Sequence, residues 1–328
     1  MRAVQLTAFG NPVDGLQCVD IPEPGPVGAN QVLVGVEFAP INPNDLMLAR
    51  GIYAIRPALP TVIGNEGVGR VLAVGAGVDN VRAGDRVLLP LSSFTWRERM
   101  VISAAGLFTL PPKAEAQQLA MLAINPVTAW LLLSDYVALK AGDWVVQNAA
   151  NSGVGRWVIA LAKKRGLRTV NIVRRAALAE ELIGIGADVV VVDSPDVSRQ
   201  IKEAVGQAEL RLALDGVSGP ATGLLAAVLS SNGTLVMYAA MSEAAIAMSP
   251  LDVIFKPLSL RGFFMGHSEH AAKFPLATKE AAAMVASGQA RVPVSATYPL
   301  SAIKEAVAHA QRGGKVLLDV AGSGSSRA

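Results

Sequence analysis

The chain has 328 residues, 29 Lys+Arg against 26 Asp+Glu, 52% hydrophobic and 17% charged residues, and one cysteine, Cys18. That balance excludes a disordered chain, and a lone cysteine excludes a disulfide framework or a cysteine-built structural zinc site. A net charge of +3, with no basic run interleaved with aromatics, gives no footing for nucleic acid, and the length suggests two domains.

MRAVQLTAFG at the N-terminus lacks a long apolar run and a small-residue cleavage site, so it reads as an opening strand. With the lone cysteine, this predicts a cytoplasmic location. The first 120 or so residues are β-rich. Apolar stretches at Gln31–Phe38, Gly67–Val74 and Asp85–Leu89 are separated by PEPGPVG, INPND and RAGDRV. Closely spaced strands and turns predict a small barrel or sandwich. The apolar stretch Leu119–Leu139 is broken by Asn125, Pro126, Ser134 and Asp135, which predicts a buried helix and no membrane span.

From Met121 to Phe264 the character changes. Trp144–Asn148, Thr169–Val173, Val189–Asp193, Leu210–Asp215, Gly233–Tyr238 and Ser259–Phe263 read as strands, and Val154–Arg165 and Ala176–Ile183 carry helical spacing. Strand–helix alternation with near-continuous Val/Ile/Leu strands predicts a doubly wound parallel sheet. Helices are expected near Ala277–Ser287 and Ser301–Gln311, and a strand at Lys315–Val320. The terminal GSGSSRA is expected to be a disordered tail. An α/β unit inserted into a β-rich domain fits this order.

After the strand Trp144–Asn148, small residues lead into a helix. They are Ala150, Ser152, Gly153 and Gly155, and with Asn151 and Val154 they make the candidate cofactor-binding turn. A dinucleotide-binding turn needs such residues so that the backbone can approach a pyrophosphate at a helix N-terminus. No strict G-x-G-x-x-G occurs, but the strand–turn–helix context is right. The second strand ends in Arg174 and Arg175, with no acid before Glu180. A carboxylate there would select NAD. A guanidinium pairs with a 2′-phosphate, so NADPH is favoured.

These features resemble the medium-chain dehydrogenase/reductase superfamily. The likeness lies in GNEGVGRVLAVGAGV at Gly64–Val78, GDRV at Gly84–Val87, SGVGR at Ser152–Arg156 and GGKVLLDV at Gly313–Val320. It implies an α/β fold in which a GroES-like β-rich catalytic domain, residues 1–121 and 265–328, carries an inserted doubly wound Rossmann domain, residues 122–264. The positions that hold zinc in metal-dependent members match Asn42, Asn65 and Asn125. Neutral amides lack the thiolate or imidazole that Zn²⁺ prefers, so a metal-free enzyme is expected. Of the three histidines, His267 and His270 are expected at the surface; the third is His309.

Within the superfamily, INPNDLMLARGIY at Ile41–Tyr53, GNEGV at Gly64–Val68, QNAANSGVGR at Gln147–Arg156, GLRTVNIVR at Gly166–Arg174 and FKPLSLRGF at Phe255–Phe263 are similar to mitochondrial-type 2-enoyl thioester reductases. This implies NADPH-dependent reduction of an enoyl-CoA or enoyl acyl-carrier-protein thioester, and a homodimer formed by extending the Rossmann sheet. The family's catalytic tyrosine matches Tyr53. Asn42 is implied to hold the nicotinamide or Tyr53, Trp96 to line the acyl pocket, and Lys315 to reach the cofactor. The rule that ligands bind outside strand C-termini adds Tyr238, Met241, Phe263 and Met265 as cofactor contacts. Two departures bear on substrate shape: Asn44 replaces a common serine, and SSFTW at Ser92–Trp96 replaces a more glycine-rich stretch. An NADPH:quinone oxidoreductase and a non-catalytic NADPH-binding protein are the competing readings.

Overall fold

A computed structural model describes residues 1–322, and the expected disorder from Ser323 onward lies outside the described residues. The chain forms two compact units. One is Met1–Ile124 joined by the segment that returns at Thr278; the other is Asn125–Ala277.

In the first unit the long strand Gln31–Ile41 is central. It pairs antiparallel with Val68–Val74, Arg99–Ser103 and Val316–Asp319. Its alternate residues Val32, Val34 and Val36 point inward, as the two-residue period of a strand requires. They meet Leu6, Leu16, Trp96, Leu300, Ile303 and Leu318 in one core. Each fully buried Val or Leu contributes roughly 1.5–3 kcal/mol. The expected strands and the expected C-terminal helices are present, at Phe274–Ala286 and Ile303–Arg312. Cys18 lies in the strand Leu16–Asp20, partly buried.

The second unit is built on a six-stranded parallel sheet. Its order is Val189–Val192, Arg168–Val173, Trp144–Gln147, Leu210–Asp215, Thr234–Met237 and Ser259–Gly262. All six expected strands are therefore present. The strand order reverses between Trp144–Gln147 and Leu210–Asp215, which makes that point the ligand crevice of a doubly wound sheet. Asn148 ties the two strand ends together: its Nδ2 donates to Asp215 Oδ1 at 2.7 Å, and Gly216 N–H donates to its Oδ1 at 2.8 Å.

Two details differ from expectation. The stretch Ala176–Ile183 is a 3₁₀ turn, Ala176–Leu178, followed by a short helix, Ala179–Gly184. The second unit also runs on to Ala277, past the expected 264. Phe263, Met265, Phe274 and Ala277 pack with Val127 and Leu131, and that satellite core retains the extra residues.

Candidate active site

In the first unit, Pro43 opens the helix Pro43–Arg50, where its fixed φ and missing N–H cost nothing. Gly51 closes the helix at φ +75°, a left-handed conformation that favours glycine. Tyr53 follows two residues later. The INPND motif thereby becomes a helix entry, and it carries a buried polar cluster. The Asn42 backbone N–H donates to Asp45 Oδ2 at 2.8 Å, and its side-chain Nδ2 donates to Glu66 Oε1 at 2.8 Å. Lys315 Nζ donates to Asn42 Oδ1 at 2.6 Å. Asn65 Nδ2 donates to Asp45 Oδ1 at 2.7 Å, and Asn65 Oδ1 accepts from Ser92 Oγ at 3.1 Å. The backbone N–H groups of Ala123 and Ile124 each donate to Glu66 Oε2 at 3.0 Å.

Asn42 thus links two buried carboxylates to one ammonium, which acts on both acids through its charge. Burial pushes the Asp45 carboxyl up to about 7, against the pull of the hydrogen bonds from Asn42 and Asn65. Burial raises Glu66 as well, and Lys315 and Asn42 draw it back. Lys315 is pushed down by burial, with Glu66 and Asp45 opposing. Half-burial raises the Tyr53 phenol above its ordinary 10, while a hydrogen bond with the Asn44 side chain lowers it. These residues do not fit a catalytic zinc: both amides are committed to carboxylate, ammonium or hydroxyl partners, and the ammonium would repel the ion.

In the second unit, Ser152 caps the helix Gly153–Lys164, its Oγ accepting from Gly155 N–H at 3.1 Å. Ala149, before the turn, sits at φ +48°, a strained position of the kind found at ligand clamps. A Cβ on Gly155 would lie 2.5 Å from the Ala150 carbonyl oxygen, so this glycine permits close packing of turn and helix. Asn125 Nδ2 is buried without a hydrogen-bond partner and lies 2.6 Å from where a Cβ on Gly153 would be. The Tyr238 hydroxyl is also buried and faces Ser152 without a hydrogen bond of good geometry; burial raises its pKa well above the ordinary phenol range. Orphaned polar atoms beside an open helix N-terminus fit a dinucleotide's pyrophosphate.

The structure brings Asn42 and Lys315 together, and it gathers Asn151, Ser152, Gly153, Val154, Gly155 and Tyr238 around the turn. Arg174 and Arg175 lie exposed just past the strand Arg168–Val173. Met241 is exposed, whereas Phe263 and Met265 pack in the satellite core. Lys315 reaches Asn42, and the cofactor contact implied for it is not what fixes its ammonium. Trp96 is a correction. It is 0% exposed, its indole N–H donates to the Pro40 carbonyl, and a Cβ on Gly64 would collide with it, so it is a core residue and lines no pocket. His270 is another correction. Its ring packs at a tilt against Phe263 and is buried, and of the two His267 alone is at the surface. Sequence reasoning missed Asp45 and Glu66 as site residues. Acids inside the otherwise uncharged INPND and GNEGV motifs were the signal.

The chain matches the alcohol dehydrogenase GroES-like domain over residues 28–109 and the zinc-binding dehydrogenase family over residues 153–287. It is 38% identical to a mitochondrial enoyl-[acyl-carrier-protein] reductase from Caenorhabditis elegans over 269 residues, covering 80% of this chain and 77% of that one. Among solved structures, the mitochondrial 2-enoyl thioester reductase Etr1p/Etr2p heterodimer from Candida tropicalis superposes with a TM-score of 0.88 at 25% identity, covering 97% of this chain and 99% of that one. A structure described as a putative NADPH:quinone reductase from Bacillus thuringiensis gives a TM-score of 0.86 at 30% identity, with 97% and 98% covered.

Proposed function

Because the chain belongs to the medium-chain dehydrogenase/reductase superfamily, in the group of the mitochondrial-type enoyl thioester reductases, we propose that it reduces the carbon–carbon double bond of a trans-2-enoyl thioester with NADPH. The observation that carries this reading is the buried amide–carboxylate–ammonium cluster at the zinc positions, with Tyr53 three residues beyond the helix that the cluster anchors. Without a Lewis acid there, a hydrogen-bond donor must polarise the carbonyl.

NADPH, when bound, supplies the hydride that adds to the β-carbon. In the second unit the Ser152–Gly155 turn would hold its pyrophosphate, and Arg174 and Arg175 its 2′-phosphate. Negative charge develops on the thioester carbonyl oxygen, and a donor placed there lowers the barrier. Tyr53 keeps its proton at neutral pH, since burial raises its phenol, and Asn44 fixes the hydroxyl. It donates to that oxygen and supplies the α-carbon proton, directly or through water. Asn42 is a positioning residue, because Glu66 and Lys315 lock its amide at the mouth of the same helix.

Replacing Tyr53 with Phe tests the reading. Turnover of crotonyl-CoA should fall by roughly 10²-fold or more, the scale of a lost general acid, with NADPH affinity unchanged. The full panel is NADPH oxidation with enoyl-CoAs of several lengths, an enoyl acyl-carrier protein and quinones. Reduction of quinones alone, indifferent to Tyr53, would establish the second reading, which similarity to the quinone reductase supports. We also propose a homodimer built on the edge strand Ser259–Gly262, all four residues of which are exposed.

A further inference from the structure

The second unit holds a group of metal-binding side chains that the proposed reduction does not use. His267, Glu269 and His270 lie on and just before the short helix Ser268–Ala271 and place one donor atom each within 4.8 Å of one another. The two imidazole rings are near parallel, 16° apart, with centroids 6.3 Å apart. Glu269 Oε1 is 3.8 Å from His270 Nε2, so Nε2 is the nitrogen on the cluster side.

The other nitrogen of His270 is the independent observation. The residue is only 4% exposed, and its Nδ1 has no hydrogen-bond partner. A buried polar atom left unpaired is costly, and native proteins keep few of them. Nδ1 faces Asp135 Oδ2 at 3.5 Å, and Lys273 Nζ clamps the other oxygen of that carboxylate at 2.7 Å. Phe263 covers the ring, with centroids 5.3 Å apart. In a metal-bound histidine one nitrogen takes the ion and the other donates to an outer carboxylate; Asp135 Oδ2 is placed for that role, a small shift short of a hydrogen bond to Nδ1.

We propose that His267, Glu269 and His270 form a site for a divalent transition-metal ion, with Asp135 as the outer carboxylate that orients His270. Two imidazoles and one carboxylate suit Zn²⁺, Co²⁺ or Ni²⁺ and not the oxygen-seeking Mg²⁺ or Ca²⁺. Three protein donors leave a coordination position for water. The positive groups nearby are Lys273, neutralised by Asp135, and Arg261, which lies over the Tyr136 ring. Bound metal would clip the Ser268–Ala271 helix to Asp135, which follows the helix Asn125–Leu132.

The test is a Co²⁺ titration of the chelator-stripped full chain, followed by its visible d–d absorption, with Mg²⁺ as the contrasting ion. Saturable absorption at one ion per chain is expected. It should be lost in His267→Ala, whose exposed side chain makes unfolding no explanation, and in Glu269→Ala. Asp135→Asn should weaken binding roughly tenfold, as loss of an outer carboxylate does. His309→Ala, which alters a histidine held by Tyr298 in the first unit, should bind as the parent does. No saturable signal, or one that survives His267→Ala and Glu269→Ala, would overturn the site.

Discussion

Asp45 binds its proton more tightly folded than unfolded, with a pKa of about 7 against an ordinary 3.8. Between those values the native state carries more protons than the unfolded chain, so the stability contribution is full at low pH and is lost as pH rises through about 7. Raised Glu66 acts with the same sign. Depressed Lys315 acts oppositely, favouring the fold as pH climbs into the alkaline range. Urea unfolding of the parent and of Asp45→Asn across pH 4 to 8 should give a falling stability for the parent and a shallower fall for the variant, since the amide does not titrate while Glu66 still does. Parallel profiles would mean that Asp45 does not titrate in this window. Tyr53 is proposed from its motif. Asp45 and Glu66 stand out in the sequence only as lone acids in theirs, because spacing does not reveal that two acids twenty-odd residues apart share one buried amide pair.

At the scale of elements, the turn and its helix make the sharpest claim. Ser152→Ala removes the cap of the Gly153–Lys164 helix and should cost about 1 kcal/mol of stability. Gly155→Ala should cost more, because the added methyl meets backbone oxygen, and a thermal melt would rank the two. Substituting Arg174 and Arg175 together by Ala should raise the NADPH dissociation constant roughly tenfold or more and leave NADH binding nearly unchanged, the loss of one charge-assisted bond. An equal effect on both cofactors would remove the arginines from the 2′-phosphate. Six strands were legible here because buried parallel strands are continuous Val/Ile/Leu runs. Their order was not, since it is set by crossover connections and not by composition. Nor was the end of the unit at Ala277: Phe263, Met265 and Phe274 read as apolar without revealing which core they join.

For the whole molecule, the proposed dimer rests on the exposed edge strand Ser259–Gly262. Ser259 and Phe263 donate inward, to Gly233 and Met237, so the Leu260 N–H points outward by alternation. Leu260→Pro removes that outward donor without touching the inner ladder. Sedimentation velocity should show a dimer for the parent and a monomer for the variant; a monomeric parent would refute the dimer. No described helix is long and apolar enough to cross a membrane.

The strand Val316–Asp319 completes the sheet begun by Gln31–Ile41, and Lys315 grips Asn42 across 273 residues. Synthesis proceeds from the N-terminus, and domains fold as units while the chain emerges. The unit that starts first must therefore finish last. Its partner, Asn125–Ala277, is contiguous and can close on the ribosome, while the first unit waits with a sheet edge open and two acids lacking their counter-charge. A truncation before Lys315 should leave a folded middle and a protease-sensitive beginning.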